Sequence, residues 1–168
     1  MDPMITHVVL PGTYDPVTLG HLDVVMRACR LFSHVTVGVA ASRSKRGVGT
    51  AFSLEERVLM IREALAEKRI EGVDVLPFEG LLVDFCREVG ATGVVKGLRA
   101  MTDFEYELQQ ADLNFHLAPD LESVFVMASP TYGYVSSSIV RELASLGSPV
   151  DSLVPDCVAR RLAEHYVQ

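Results

Sequence analysis

The sequence has no long apolar run and no recognisable targeting segment. None of its apolar stretches approaches the about 20 residues that are needed to cross a bilayer. The opening residues, MDPMITHVVLPG, contain neither a basic region nor a signal-type cleavage site. We therefore expect a cytoplasmic protein that does not interact with a membrane.

Cysteine is scarce, and its spacing argues against two further classes. Cys29, Cys86 and Cys157 lie far apart, and no C-x-x-C pair occurs, so neither a disulfide scaffold nor a zinc site is indicated. Cys29 and Cys86 fall on apolar faces of predicted helices. A thiol in such a position behaves as a small buried apolar group.

Two common nucleotide-binding signatures are also missing. No G-x-G-x-x-G follows a predicted strand, which argues against dinucleotide redox chemistry. No G-x-x-x-x-G-K-[ST] occurs, so the chain is not a P-loop NTPase. Any nucleotide site must therefore use a different phosphate-binding turn.

The balance of charge argues against general binding of nucleic acid. The chain carries 15 Lys and Arg against 22 Asp and Glu, a net charge of −7, whereas nucleic-acid binding needs a basic face. The basic residues nevertheless cluster in short Gly-containing segments, with Arg43, Lys45 and Arg46 in one and Lys96 and Arg99 in another. This pattern suits a small anionic ligand, although ordinary polar loops explain any single member of it.

Short β-rich runs alternate with helical periodicity along all 168 residues. The sequence predicts five strands, at residues 7–10, 35–41, 73–78, 92–97 and 123–128, with helices between them. Such alternation favours a single domain, 1–168, built on a doubly wound five-stranded parallel sheet with helices on both faces. Ligands of such sheets bind beyond the carboxyl ends of the strands.

The most informative segment is T-L-G-H, residues 18–21, which follows the first strand and a Gly/Pro turn at 11–17. When a strand is followed by a turn of small residues and then by a helix, backbone N–H groups at the helix start are free to bind phosphate. His21 in the first helical turn can donate a hydrogen bond to the same anion. The alternative is a histidine that serves only as a helix-end residue.

The other unusual segments also follow strands. Residues 11–21, 42–46, 97–99 and 129–138 each come directly after a predicted strand. Because parallel strands end at one edge of their sheet, we expect these four segments to meet there. That shared edge supports a phosphate site more strongly than any single motif does.

Four motifs together resemble those of bacterial phosphopantetheine adenylyltransferases. They are P-G-T-Y-D-P followed by T-L-G-H, then K-G-L-R-A, D-F-E-Y-E and V-S-S-S-I-V-R-E, in order along nearly the whole chain. T-x-G-H by itself marks only the wider nucleotidyltransferase superfamily. The resemblance implies a Rossmann-like nucleotidyltransferase fold. It also implies transfer of the adenylyl group of ATP to 4′-phosphopantetheine, with dephospho-coenzyme A and pyrophosphate as products.

The resemblance further implies Mg²⁺ bound mainly through the ATP phosphates, with no protein ligand assigned, and assembly as a homohexamer. Two residues depart from the commoner family pattern. Lys96 replaces an Arg that many members carry, and Arg141 replaces a Lys. A lysine keeps the positive charge but loses bidentate geometry on phosphate.

The family's functional residues map onto this chain position by position. The resemblance implies that catalysis depends on His21, Lys45 and Arg99, and that the acceptor substrate contacts Thr13, Lys45, Leu82 and Lys96. It implies that ATP is bound by Thr13, Tyr14, His21, Gly97, Leu98, Arg99, Glu107, Tyr132, Gly133, Tyr134, Val135, Ser136, Ser137 and Ser138.

Each assignment has a structural alternative. Arg99 can pair with Asp103 or Glu105, Leu82 can be a core residue, and Glu107 can be a solvated helical charge. Two further functions also stay open at this point. One is a nucleotidyltransferase with another acceptor, such as nicotinamide mononucleotide or glycerol phosphate. The other is a non-catalytic coenzyme A or nucleotide sensor.

Overall fold

The protein is built around a parallel sheet, which a computed structural model describes over residues 5–41, 49–99 and 101–167. The five strands of these residues pair in the order β3-β2-β1-β4-β5, and every pairing is parallel. The predicted fold class is therefore confirmed. The strands are β1 His7–Gly12, β2 His34–Ala40, β3 Val73–Phe78, β4 Gly93–Leu98 and β5 Glu122–Met127.

Helices connect and follow the strands, close to the predicted positions. Pro155 is the N-cap of the last helix, and Leu81 is the N-cap of the helix that follows β3. No helix of the described residues is long and apolar enough to cross a membrane. The helices are α1 Leu19–Leu31, α2 Leu54–Glu67, α3 Leu82–Val89, α4 Met101–Leu117, α5 Ser137–Ser145 and α6 Asp156–Tyr166.

Two apolar clusters lie on opposite faces of the sheet. Val8 and Leu10 of β1 belong to one cluster and Val9 to the other, as the alternation of strand side chains requires. Burying each such side chain stabilises the fold by about 1.5–3 kcal/mol. Cys86 is buried as expected, whereas Cys29 is partly exposed, so that prediction was wrong for Cys29.

The order of the strands creates a crevice between β1 and β4. From β1 the chain adds β2 and β3 on one side, then returns to place β4 and β5 on the other. The helices that follow β1 and β4 consequently leave the sheet on opposite faces, which opens a gap beyond the carboxyl ends of these strands. Three of the four predicted segments meet this edge. The fourth, at 42–46, lies outside the described residues.

The N-terminus of α2 illustrates how local sequence determines an element. The Ser53 Oγ accepts a hydrogen bond from the Glu56 N–H at 3.2 Å, and the Glu56 carboxylate accepts one from the Ser53 N–H at 2.7 Å. Both groups thus satisfy backbone donors that the first helical turn leaves free. The structure confirms the capping box that S-L-E-E predicts.

Ser53→Ala should lower the free energy of unfolding by about 1 kcal/mol, because the Glu56 N–H loses its acceptor. Urea unfolding followed by circular dichroism measures this change. Ser152→Ala, which alters an exposed serine in a turn, serves as the control. An equal loss in both variants would contradict a capping contribution.

Candidate active site

A cavity of about 290 Å³ occupies the crevice beyond β1 and β4. Ten of the sequence-predicted residues line it, coming from the turn after β1, the start of α1, the end of β4, α4 and the segment before α5. These residues are Tyr14, His21, Lys96, Gly97, Arg99, Glu107, Tyr132, Val135, Ser136 and Ser137. The structure therefore brings an imidazole, two cations and a helix N-terminus to one site.

His21 is held by a reciprocal pair of hydrogen bonds with Thr18. The Thr18 N–H donates to Nδ1 of His21 at 3.0 Å, and the His21 N–H donates to the Thr18 Oγ1 at 3.3 Å. Since Nδ1 accepts a hydrogen bond, the proton of the neutral ring is on Nε2. The imidazole can therefore serve as a hydrogen-bond donor through Nε2.

The surroundings of His21 keep the ring neutral. Burial, followed by the charges of Arg99 and Lys96, lowers the pKa of His21 to about 4. The Tyr14 ring also packs edge-on against the imidazole, with ring centroids 4.9 Å apart. The His21 side chain is thus a fixed neutral donor rather than a cation at neutral pH.

Tyr14 shapes the floor of the cavity at an unusual backbone position. Its φ of 50° lies in the left-handed region, which a bulky residue adopts only when its surroundings require it. The Tyr14 hydroxyl donates to the carbonyl of Leu10 at 2.9 Å. A Cβ at Gly12 would lie 3.0 Å from the Tyr14 ring, so a larger residue there would require the ring to shift by a few tenths of an ångström.

Arg99 lies at the rim, oriented by two acceptors. The Asp103 carboxylate accepts from the Arg99 backbone N–H at 3.2 Å and from Nε at 3.3 Å, while Nη1 donates to the Val135 carbonyl at 2.9 Å. The structural alternative, pairing with Asp103, is thus observed together with the predicted location. The two are compatible, because the pairing aims the guanidinium and leaves further N–H donors for an anion.

Lys96 and Glu107 lie side by side in the lining of the cavity. The Lys96 Nζ is 3.5 Å from Oε2 of Glu107, within ion-pair range but without hydrogen-bond geometry. That oxygen is buried and has no hydrogen-bond partner among the described residues. Glu107 is therefore not a solvated helical charge, since this oxygen is shielded from water and lies beside the Lys96 ammonium.

The serine segment forms one wall of the cavity. The Ser136 Oγ accepts from the Ile139 N–H at 3.2 Å as the N-cap of α5. The Ser137 Oγ donates to the Pro16 carbonyl at 2.7 Å, which ties the start of α5 to the turn after β1. The N-terminus of α5, with its positive end of the helix dipole, consequently faces the anion site.

Several predicted residues do not line this cavity. Leu98 is buried in the sheet, and Leu82 packs partly buried against the second apolar cluster. Thr13 is exposed between two lining residues. Lys45 lies outside the described residues. The roles of these residues, and those of Gly133, Tyr134 and Ser138, stay predictions.

The cavity also contains residues that were not predicted to contact a ligand. Val24 of α1 packs so closely on Gly97 that a Cβ there would lie 2.8 Å from a Val24 methyl. Ala128 and Val95 line the wall, and Asp103 orients Arg99. The apolar residues carry no sequence signal beyond ordinary helix or strand patterning. Asp103 does, because it is an acid four residues after an arginine.

The neutral state of His21 makes the unfolding free energy depend on pH. In the unfolded chain His21 binds a proton with an ordinary pKa of 6.5. In the folded chain the imidazole stays neutral down to about pH 4. The contribution of His21 is therefore complete above pH 6.5 and is lost as the pH falls toward 4.

His21→Gln, which keeps an acceptor for the Thr18 N–H, should remove this contribution. In urea unfolding between pH 4 and 7, the free energy of unfolding of the wild type relative to that of His21→Gln should fall as the pH falls. NMR titration of the imidazole should show a neutral ring at pH 5.5, well above a pKa of about 4. An imidazole that titrates near its ordinary value would contradict the assigned environment.

The chain is similar to known proteins in both sequence and fold. A cytidylyltransferase-like family model matches residues 9–143. Two solved structures of a bifunctional NMN adenylyltransferase/ADP ribose pyrophosphatase from Francisella tularensis, one of them complexed with AMP and a manganese ion, share the fold. Their TM-scores are 0.71 and 0.68 at 16% and 15% identity, over 96% of this chain. The chain spans about half of those proteins, 49% of each.

Closer relatives match over nearly the full length of both chains. A phosphopantetheine adenylyltransferase of Moorella thermoacetica is 51% identical over 158 residues, covering 94% of this chain and 96% of its own. One of Thiobacillus denitrificans is 51% identical over 156 residues, covering 93% and 94%. With its parallel sheet, its T-L-G-H helix start and this identity, the chain belongs to the phosphopantetheine adenylyltransferase family of nucleotidyltransferases.

Proposed function

We propose that the chain transfers the adenylyl group of ATP to 4′-phosphopantetheine, releasing pyrophosphate and forming dephospho-coenzyme A in the cytoplasm. The observation that carries this proposal is the convergence of His21, Lys96, Arg99 and the N-terminus of α5 on one cavity. These groups are all donors or cations, as a site for two polyanionic reactants requires. The membership of the family supplies the identity of those reactants.

The reaction needs no nucleophile from the protein. A phosphate oxygen of phosphopantetheine forms a bond to the α-phosphorus of ATP, and the bond from that phosphorus to the bridging oxygen of pyrophosphate breaks. The leaving group departs with the electron pair of that bond. Catalysis then consists of aligning the two phosphates and stabilising the charge that crowds around the α-phosphorus.

The predicted site residues, most of which line the cavity, divide this work between the reactants. Nε2 of His21 donates to a non-bridging oxygen of the α-phosphate, where negative charge accumulates in the transition state. Arg99 and the N-terminus of α5 bind the leaving phosphates. Lys96, with Thr13 and Lys45, binds the attacking phosphate. Glu107 accepts from the nucleotide, and Leu82 contacts the pantetheine arm.

Magnesium fits this site as part of the nucleotide complex. The cavity offers the carboxylates of Asp103 and Glu107, which lie against Arg99 and Lys96. The described residues form no cluster of three or more potential ligands. Mg²⁺ commonly keeps water and phosphate oxygens as ligands. We therefore place it with the ATP phosphates, where it neutralises charge.

Helix α4 supports assembly into a homohexamer. Its large apolar side chains are exposed in the single chain, whereas soluble monomers rarely expose extended apolar patches. Burial of these side chains against further copies would remove them from water. The exposed side chains are Phe104, Tyr106, Leu108, Leu113, Phe115 and Leu117.

His21→Ala should lower kcat by about 10²–10³, because one donor to the transition state is lost. The KM for ATP should change much less, since the other groups still bind the phosphates. Pyrophosphate release from ATP and phosphopantetheine, measured by a coupled assay, gives both constants. His34→Asn, at the opposite edge of the sheet, is the control and should behave as wild type.

The same assay tests the proposed function. Pure wild-type protein that releases no pyrophosphate with phosphopantetheine contradicts it. Faster release with nicotinamide mononucleotide or glycerol phosphate identifies a different acceptor. Equal changes in kcat and in ATP affinity for His21→Ala contradict a transition-state role.

Phe115→Glu should shift the hexamer toward smaller species, because a charge in an apolar contact loses its hydration. Sedimentation velocity measures the size distribution. Leu146→Glu changes an exposed leucine at the end of α5 and should leave the hexamer intact. Wild-type protein that sediments as a monomer would contradict the assembly.

A further inference from the structure

Arg57 is a buried cation outside the cavity. It lies in the first turn of α2 and is only 2% exposed. Burying a charged side chain is costly unless hydrogen bonds and an opposite charge compensate for the lost water. We therefore expect the Arg57 guanidinium to donate hydrogen bonds to buried acceptors.

Three backbone carbonyls provide these acceptors. Nε donates to the Phe52 carbonyl at 3.2 Å, and Nη1 donates to the carbonyls of Ala40 at 2.9 Å and Thr13 at 2.6 Å. The three carbonyls belong to different segments: the end of β2, the turn after β1 and the approach to α2. One guanidinium therefore holds three segments together.

Asp15 also connects the turn after β1 to the approach to α2. Its carboxylate accepts from the backbone N–H groups of Ala51 and Phe52 at 2.8 and 3.0 Å. Burial lowers the pKa of Arg57, and the Asp15 charge opposes that effect. The turn 13–15 is thus bound to the start of α2 through both a carbonyl and a carboxylate.

We infer that Arg57 is a positioning residue that sets the place of Thr13, and through it the binding of the attacking phosphate. This inference rests on the proposed function, in which Thr13 contacts phosphopantetheine. Thr13 is itself exposed, and Arg57 holds its carbonyl. The planar guanidinium presents donors at fixed angles, which a lysine ammonium cannot reproduce.

The groups on the nucleotide side are held independently of Arg57. Arg99 is oriented by Asp103 and Val135, and Ser137 by Pro16. Thr13 is also implied to contact ATP, but the nucleotide has many other contacts, so displacement of Thr13 should affect binding of the acceptor much more than binding of ATP. This selectivity separates positioning from simple support of the fold, because a smaller folded fraction lowers the apparent kcat and leaves both KM values unchanged.

The test compares Arg57→Lys with Arg62→Lys. Arg62 is on the same helix and donates to one backbone carbonyl, that of Val75 at 2.9 Å, but that carbonyl belongs to β3 and not to the turn after β1. We expect Arg57→Lys to raise the KM for phosphopantetheine about tenfold while the KM for ATP stays within about twofold. Arg62→Lys should leave both values as in wild type.

A double-mutant cycle of Arg57→Lys with Thr13→Ala tests whether Arg57 acts on the acceptor through Thr13. If Arg57 acts through Thr13, the two substitutions together should raise the KM for phosphopantetheine by less than the product of their separate effects. An unchanged KM in Arg57→Lys, equal changes for both substrates, or independent effects in the cycle would overturn the inference. Inactive wild-type protein would instead overturn the proposed function.

Discussion

The reciprocal hydrogen bonds between Thr18 and His21 are the contact on which the site depends. They begin α1, and they also decide which imidazole nitrogen carries the proton. Because Nδ1 accepts from the Thr18 N–H, Nε2 is the donor at neutral pH. A single local motif therefore builds the helix start and prepares a neutral hydrogen-bond donor for the cavity.

The second constraint is electrostatic. An acidic chain with a net charge of −7 gathers Lys96 and Arg99 at the edge of its sheet. Each cation has an acidic neighbour, Glu107 or Asp103. These pairs orient the cations without neutralising every donor, so N–H groups remain for anionic ligands.

Much of this arrangement follows from local sequence. The capping boxes at Thr18 and Ser53 are predictable because their partners are three residues apart and need only the geometry of a helical turn. Arg99 and Asp103 are also close in sequence, which explains why their pairing could be weighed in advance. The exposure of Cys29 was not predictable in the same way, since helical periodicity gives a face but not what covers it.

The sequence by itself determined the order of strands and helices, the T-L-G-H helix start and the family, because these depend on short-range patterns and motif spacing. Only the tertiary structure decided that Arg57 holds Thr13 from 44 residues away and that Val24 packs on Gly97. It also decided that a buried oxygen of Glu107 lies beside the Lys96 ammonium without a hydrogen-bond partner in the part of the chain that the structure describes. These contacts join segments that are distant along the chain. Their geometry arises from the packing of helices against the sheet, which a linear pattern does not encode.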